Sequence, residues 1–128
     1  MNKFLYNTQD KIVSCITGGN LVTAVHLVRL SGFTNLKFLE PFIDYKISKI
    51  KPRYSHFINL LNESDILDQV LLVYFPAPHS YSGENIIEIS VHGNPLNVNR
   101  ILDLFIHQCG FRMAYPGEFT YRAMKNKK

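Results

Sequence analysis

Apolar residues change period several times along this 128-residue chain, and each change marks an element. The longest helical stripe is Val98, Ile101, Leu102, Phe105, Ile106 and Cys109, spaced i, i+3, i+4, i+7, i+8 and i+11. Asn94 suits the N-cap before it, Pro95 the first helical position and Gly110 the stop. Asn97 falls on the opposite side of this helix. Residues 86–92 alternate as a strand does, with Ile87, Ile89 and Val91 on one face and Ile86, Glu88, Ser90 and His92 on the other. β-branched residues make 11–17 a strand, and Gly18-Gly19-Asn20 a reversal into a second strand over 21–30, which Ser31-Gly32 ends. A short helix over 35–42 is interrupted by Pro41, and Lys51-Pro52 breaks the chain again.

Two more strands, 54–61 and 66–75, flank the polar turn Asn62-Glu63-Ser64-Asp65, and Pro76 and Pro78 stop the pairing. Residues 111–115 suit a short edge strand and 118–126 a final helix. The pattern predicts one α+β domain over residues 1–128, a mixed or mostly antiparallel sheet with helices packed against it.

Composition adds exclusions. The longest apolar run, residues 70–75, is far short of the roughly 20 residues of a membrane helix, and the start lacks a signal peptide's apolar core. A cytoplasmic domain without membrane contact is the expectation. Cys15 and Cys109 have no CxxC partner and read as small buried residues. The net charge of +4 is confined to the end of the chain: basic and acidic residues balance up to Tyr121, and the excess comes from Arg122, Lys125, Lys127 and Lys128. Lys46, Lys49, Lys51 and Arg53 form either a basic face or a solvated loop.

Few residues carry chemistry by pattern alone. No GxxxxGK[ST] loop, nucleophile elbow or metal-spaced histidine set is present, so neither a catalytic nor a metal residue is assigned. His92, at a strand end before Gly93, reads as a base or as a structural hydrogen-bonder. Glu88, between Ile87 and Ile89, must meet water, a cation or a ligand. Arg29 poses the same question, and an Arg29–Glu88 ion pair is one answer to both.

Two blocks narrow the reading. Pro76-Ala77-Pro78-His79-Ser80-Tyr81-Ser82-Gly83-Glu84-Asn85, running through the strand into His92-Gly93, precedes Pro116-Gly117-Glu118-Phe119-Thr120 with Arg122-Ala123. In this order they resemble the N-terminal domain of the tRNA-modification GTPases that act on the wobble uridine, at tRNA position 34. The resemblance implies a fold similar to the folate-binding domain of aminomethyltransferases. Through it, Arg29, Glu88 and Lys128 are matched to residues that bind a tetrahydrofolate, as the 5-formyl or 5,10-methylene derivative, which supplies a one-carbon unit to C5 of uridine. A carboxylate can accept from the pterin's paired N–H donors, and the tail carboxylates suit Arg or Lys. The resemblance further implies a homodimer, a flavin-dependent partner subunit and indirect contact with tRNA. GTP, magnesium and potassium are expected only in a separate GTP-binding domain.

The chain departs from the family pattern in three places. Thr17-Gly18-Gly19-Asn20 replaces a Pro-Pro-Gly-x-Gly-Gly turn, Asn94 replaces the second glycine of His-Gly-Gly, and Met124-Lys125 replaces Phe-Leu, which removes apolar anchoring from the final helix. With the sequence ending at Lys128, that helix is expected to be cut short. A non-catalytic scaffold that dimerises without binding folate is the alternative reading.

Overall fold

The computed structural model describes residues 7–18 and 23–127. Six strands form one mixed sheet: β1 (Ile12–Cys15), β2 (Val25–Ser31), β3 (His56–Asn62), β4 (Asp65–Phe75), β5 (Ile86–His92) and β6 (Arg112–Met113). Their spatial order is β3-β4-β5-β2-β1-β6, antiparallel throughout except for the parallel β1–β6 pair. Two helices follow late in the chain, α1 (Pro95–Cys109) and α2 (Glu118–Lys125). The α+β architecture agrees with the pattern of the sequence.

One face of the sheet carries the core. Val28 and Leu30 of β2, Val70 and Leu72 of β4, and Ile87, Ile89 and Val91 of β5 meet Val98, Ile101, Leu102 and Phe105 of α1, all buried. The α1 boundaries follow its caps: the Asn94 side chain accepts from Leu96 N–H at 2.8 Å, Pro95 opens the helix, and Gly110 closes it with φ 78°. Asn97, assigned by periodicity to the outward side, instead donates to Asp68 Oδ2 at 2.9 Å and to the His92 carbonyl at 3.1 Å. The hairpin of β3 and β4 brings Asp68 over the first turn of α1, which helical period alone does not encode.

Other boundaries shift for local reasons. Thr23 and Ala24 are drawn out of β2 by exchanging bonds with Gly93 (Thr23 N–H to Gly93 O 3.1 Å, Gly93 N–H to Ala24 O 3.2 Å). A Cβ on Gly93 would lie 1.9 Å from the Thr23 carbonyl oxygen, so only glycine permits this approach. Residues 19–22, which include most of the predicted reversal and the start of the predicted second strand, lie outside the described residues. The segment around Pro41 forms a 3₁₀ helix, Leu36–Phe42, not an α-helix. Ile47–Lys49 adds a 3₁₀ turn that no pattern announced.

Removing the Phe105 ring, which is fully buried, should cost about 3–5 kcal/mol. Asn99→Ala on the exposed side should stay within about 0.5 kcal/mol, and Asn97→Ala should fall between them through its lost bonds to Asp68 and His92. Urea midpoints for the three variants check this ranking.

Candidate functional site

The face of the sheet opposite α1 is partly covered by the loop of residues 76–85 and by α2. Strand register decides what lies beneath them. Arg29 on β2 is the direct cross-strand partner of Glu88 on β5, so the two side chains project to the same face from adjacent strands. Arg29 Nε donates to Glu88 Oε2 at 2.9 Å, and Arg29 Nη2 lies 2.8 Å from the same oxygen. Both side chains are mostly buried, 16% and 22% exposed. The guanidinium also lies against two aromatic rings, its Cζ 4.9 Å from the Tyr81 centroid and 5.2 Å from that of Phe119. Two predicted site residues are therefore brought into one cluster, and the third, Lys128, lies outside the described residues.

Beside this pair is a pocket of about 380 Å³. Its apolar lining comes from Phe75 and Ile86, its loop wall from His79 and Tyr81, and its charged groups are Glu88 and Arg53. Ile86, placed by alternation on the same face as Glu88, is buried because the loop covers it. Arg29 does not line this pocket; it holds Glu88 from behind. Both of its contacts use Glu88 Oε2, and Oε1 has no hydrogen-bond partner among the described residues.

Ionic bonds hold the cover in place. Glu118 opens α2 fully buried and accepts from Arg112 Nη1 at 2.8 Å, Arg112 Nη2 at 2.7 Å, Tyr115 N–H at 2.9 Å and Arg122 Nη2 at 3.1 Å. Arg122, one turn on and also fully buried, donates from Nη1 to both Glu84 oxygens at 3.1 and 3.2 Å. Glu84 belongs to the loop, and its Oε1 also accepts from Ser31 Oγ at 2.8 Å. A Cβ on Gly32 would lie 2.8 Å from Arg122 Nη1 and 2.7 Å from the Asp10 carbonyl oxygen, at a φ of +91°. Glycine after Ser31 is thus required by the left-handed backbone and by the approach of the Asp10 carbonyl and the buried guanidinium.

This arrangement corrects the reading of the terminal charge. Arg122 belongs to the interior ion network and adds nothing to a basic tail. The spacing of Glu118 and Arg122, i to i+4 on a helix, was the signal available for it. His92 is held as a structural hydrogen-bonder: Nδ1 lies 2.5 Å from Asp68 Oδ1, and its N–H donates to Asp68 Oδ2 at 3.0 Å. Cys109 is buried, which pushes its thiol up to about 11 despite the nearby Lys11 cation. Among the described residues there is no cluster of three or more His, Cys, Asp or Glu that would hold a metal, and no helix long and apolar enough to cross a membrane.

Comparison with known proteins places the chain in a family. The family model described as "GTP-binding protein TrmE N-terminus" matches residues 11–128. The chain belongs to that family. The TrmE N-terminal match extends to tRNA modification GTPases MnmE: that of Aquifex aeolicus (strain VF5) is 46% identical over 107 residues, covering 83% of this chain and 23% of the relative. That of Francisella tularensis subsp. holarctica (strain FTNF002-00 / FTA) is 41% identical over 124 residues, covering 94% of this chain and 26% of the relative. The chain thus spans about a quarter of the length of these curated relatives. In this TrmE N-terminal domain the loop and α2 are joined by the Glu84–Arg122–Glu118 network, and both also contact Arg29.

Burial acts to raise the Glu118 carboxyl, but hydrogen bonds from Arg112 and Tyr115 and the charges of Arg112 and Arg122 outweigh it and hold the group below its ordinary 4.5. A carboxyl depressed on folding contributes stability above its unfolded value and loses it as the pH falls through the folded one. Glu118→Gln should therefore cost about 3–5 kcal/mol at neutral pH, and the gap from wild type should narrow below about pH 4.5. Urea unfolding from pH 7 to pH 3 measures this.

Proposed function

We propose that the chain is the tetrahydrofolate-binding and dimerising domain of a tRNA wobble-uridine modification GTPase. The observation that carries the reading is the state of Glu88. Its carboxylate lines an apolar pocket with one oxygen engaged by Arg29 and the other without a partner. A pterin presents two adjacent N–H donors in the plane of its ring, which a carboxylate fixed from behind is shaped to accept. Phe75 and Tyr81 supply apolar surface for a flat ring. The residues present fit the group. Bound there, the folate would supply a one-carbon unit for C5 of uridine, and the task of this chain is to bind and orient it.

Arg29 takes a different role in this reading from the one expected of a tail-binding cation. It bonds one oxygen of Glu88, and its contacts with the Tyr81 and Phe119 rings link the orientation of that carboxylate to the loop and to α2. The 5-formyl and 5,10-methylene derivatives share the pterin edge that this carboxylate recognises. Transfer to uridine, GTP hydrolysis and work with a flavin-dependent subunit on tRNA would fall to the larger assembly.

Self-association belongs to the same reading. Away from the loop, the outer sheet face exposes Phe57, Leu71 and Val25, and Phe57 and Leu71 are cross-strand partners. Light scattering at tens of micromolar should give a twofold species. A monomer with and without folate would remove dimerisation from the proposal.

Calorimetric titration with 5-formyltetrahydrofolate tests the site itself. Glu88→Gln replaces an acceptor oxygen with a donor and leaves a ligand N–H unpaired. It should weaken binding by about 2–3 kcal/mol, roughly 30- to 150-fold. Unchanged affinity in a folded Glu88→Gln variant would assign the Arg29–Glu88 pair to stability alone. Absence of binding by wild type would favour a scaffold that dimerises without folate.

A further inference from the structure

The pocket beside Glu88 contains a second charge that the reading above leaves without a task. Arg53 lies between the break at Lys51-Pro52 and β3, in the left-handed backbone region at φ 68°. Its N–H bonds the Tyr74 carbonyl at 2.8 Å, which fixes the residue beside the end of β4. Its guanidinium lies over the Phe75 ring, 5.5 Å from Cζ to the centroid, and Nη2 donates to the His79 carbonyl. The residue is exposed, has no acidic partner among the described residues, and uses one side-chain donor of the five a guanidinium carries. Arg29, by contrast, is spent on Glu88 and does not line the pocket.

From this geometry we infer that Arg53 is the anchor for a carboxylate on the ligand's tail, making this pocket selective for pterins with an anionic side chain. The inference rests on the folate reading. Glu88 pairs with Val73 across β4 and β5, while Arg53 bonds the neighbouring Tyr74 from the other side of β4. The two backbones are thus about two strand spacings, roughly 10 Å, apart. Phe75 and Ile86, themselves cross-strand partners, supply the apolar lining near them. A ligand with paired donors, an apolar body and a carboxylate carries the three kinds of group that this lining of carboxylate, apolar surface and guanidinium accepts. Guanidinium recognises carboxylate in a plane through two parallel N–H bonds, and cradling over Phe75 limits the freedom lost when it does so. The bond to the His79 carbonyl also ties the anchor to the loop that walls the pocket, so an occupied tail site would steady that wall.

The experiment compares two probes, 5-formyltetrahydrofolate and a tail-free tetrahydropterin, in calorimetric titrations with melting curves for each variant. Arg53→Asn is the informative substitution, because asparagine tolerates the left-handed backbone while removing the charge. It should weaken 5-formyltetrahydrofolate about tenfold or more, leave the tail-free pterin within twofold, and abolish most of the salt dependence of folate binding. Arg53→Lys, which keeps the charge without the fork, should recover part of the loss. Equal affinity of Arg53→Asn and wild type for 5-formyltetrahydrofolate would overturn the assignment while leaving the Glu88 site intact. Equal losses for both probes, accompanied by a lowered melting temperature, would overturn it in favour of a structural role for Arg53 in holding the loop. Failure of wild type to bind either probe would overturn the folate reading and this inference together.

Discussion

The outer face of this domain depends on a buried guanidinium. Arg122 is fully enclosed, and its two terminal nitrogens join the first residue of α2 to the loop of residues 76–85 through Glu118 and Glu84. Charges removed from water are costly to leave unpaired, so each member of the set constrains the others. Arg112 completes the partners of Glu118 and ties them to Asp10, while Ser31 reaches Glu84 from β2. Four stretches distant in sequence, around Asp10, Ser31, Glu84 and residues 112–122, therefore meet at one electrostatic junction. The Arg122 Nε is the one buried side-chain atom among the described residues without a hydrogen-bond partner, a small cost within an otherwise satisfied network.

The candidate site follows from that junction. With α2 and the loop held against the sheet, Phe119 and Tyr81 both contact the same guanidinium, that of Arg29. Tyr81 Oη and Thr120 Oγ1, 2.7 Å apart, add a direct bond between loop and helix. Arg29 is thereby packed against both covering elements while it bonds Glu88. A carboxylate positioned by such a neighbour is ordered when the chain folds, so a ligand of the kind proposed would meet it already placed. The same reasoning explains why α2 tolerates an exposed Met124: the helix is anchored by Glu118, Phe119, Arg122 and Ala123 on one side and has little need of a longer apolar stripe.

Much of the scaffold was legible from residue order. Helix α1 was visible down to its caps because a 3.6-residue stripe, Asn94, Pro95 and Gly110 are local signals. Strand β5 was visible for the same reason, since alternation is encoded within seven residues. The family blocks directed attention to Arg29 and Glu88, and strand register then put them side by side. What local pattern missed is what other elements impose: the 3₁₀ turn at Ile47–Lys49, the bonds that pull Asn97 inward, and the burial of Arg122. Arg53 was read only as one charge in a basic cluster, because nothing in its neighbours indicates that β4 places it at a pocket containing Glu88.

By itself, the amino-acid order determined the α+β class, the principal strands, the capped helix and the family to which the chain belongs. These depend on periodicity, turn chemistry and motif spacing, which act over a few residues or are read directly as letters. Tertiary structure alone decided the work of each charge. Arg29, Arg53 and Arg122 are the same letter in the sequence, yet one steadies a carboxylate, one stands open at a pocket and one is sealed in the interior. Electrostatic role depends on which partners lie within a few ångströms and how much water remains between them. Those quantities come from strand register and from the closure of α2 over the sheet, and they exist only once distant segments have met.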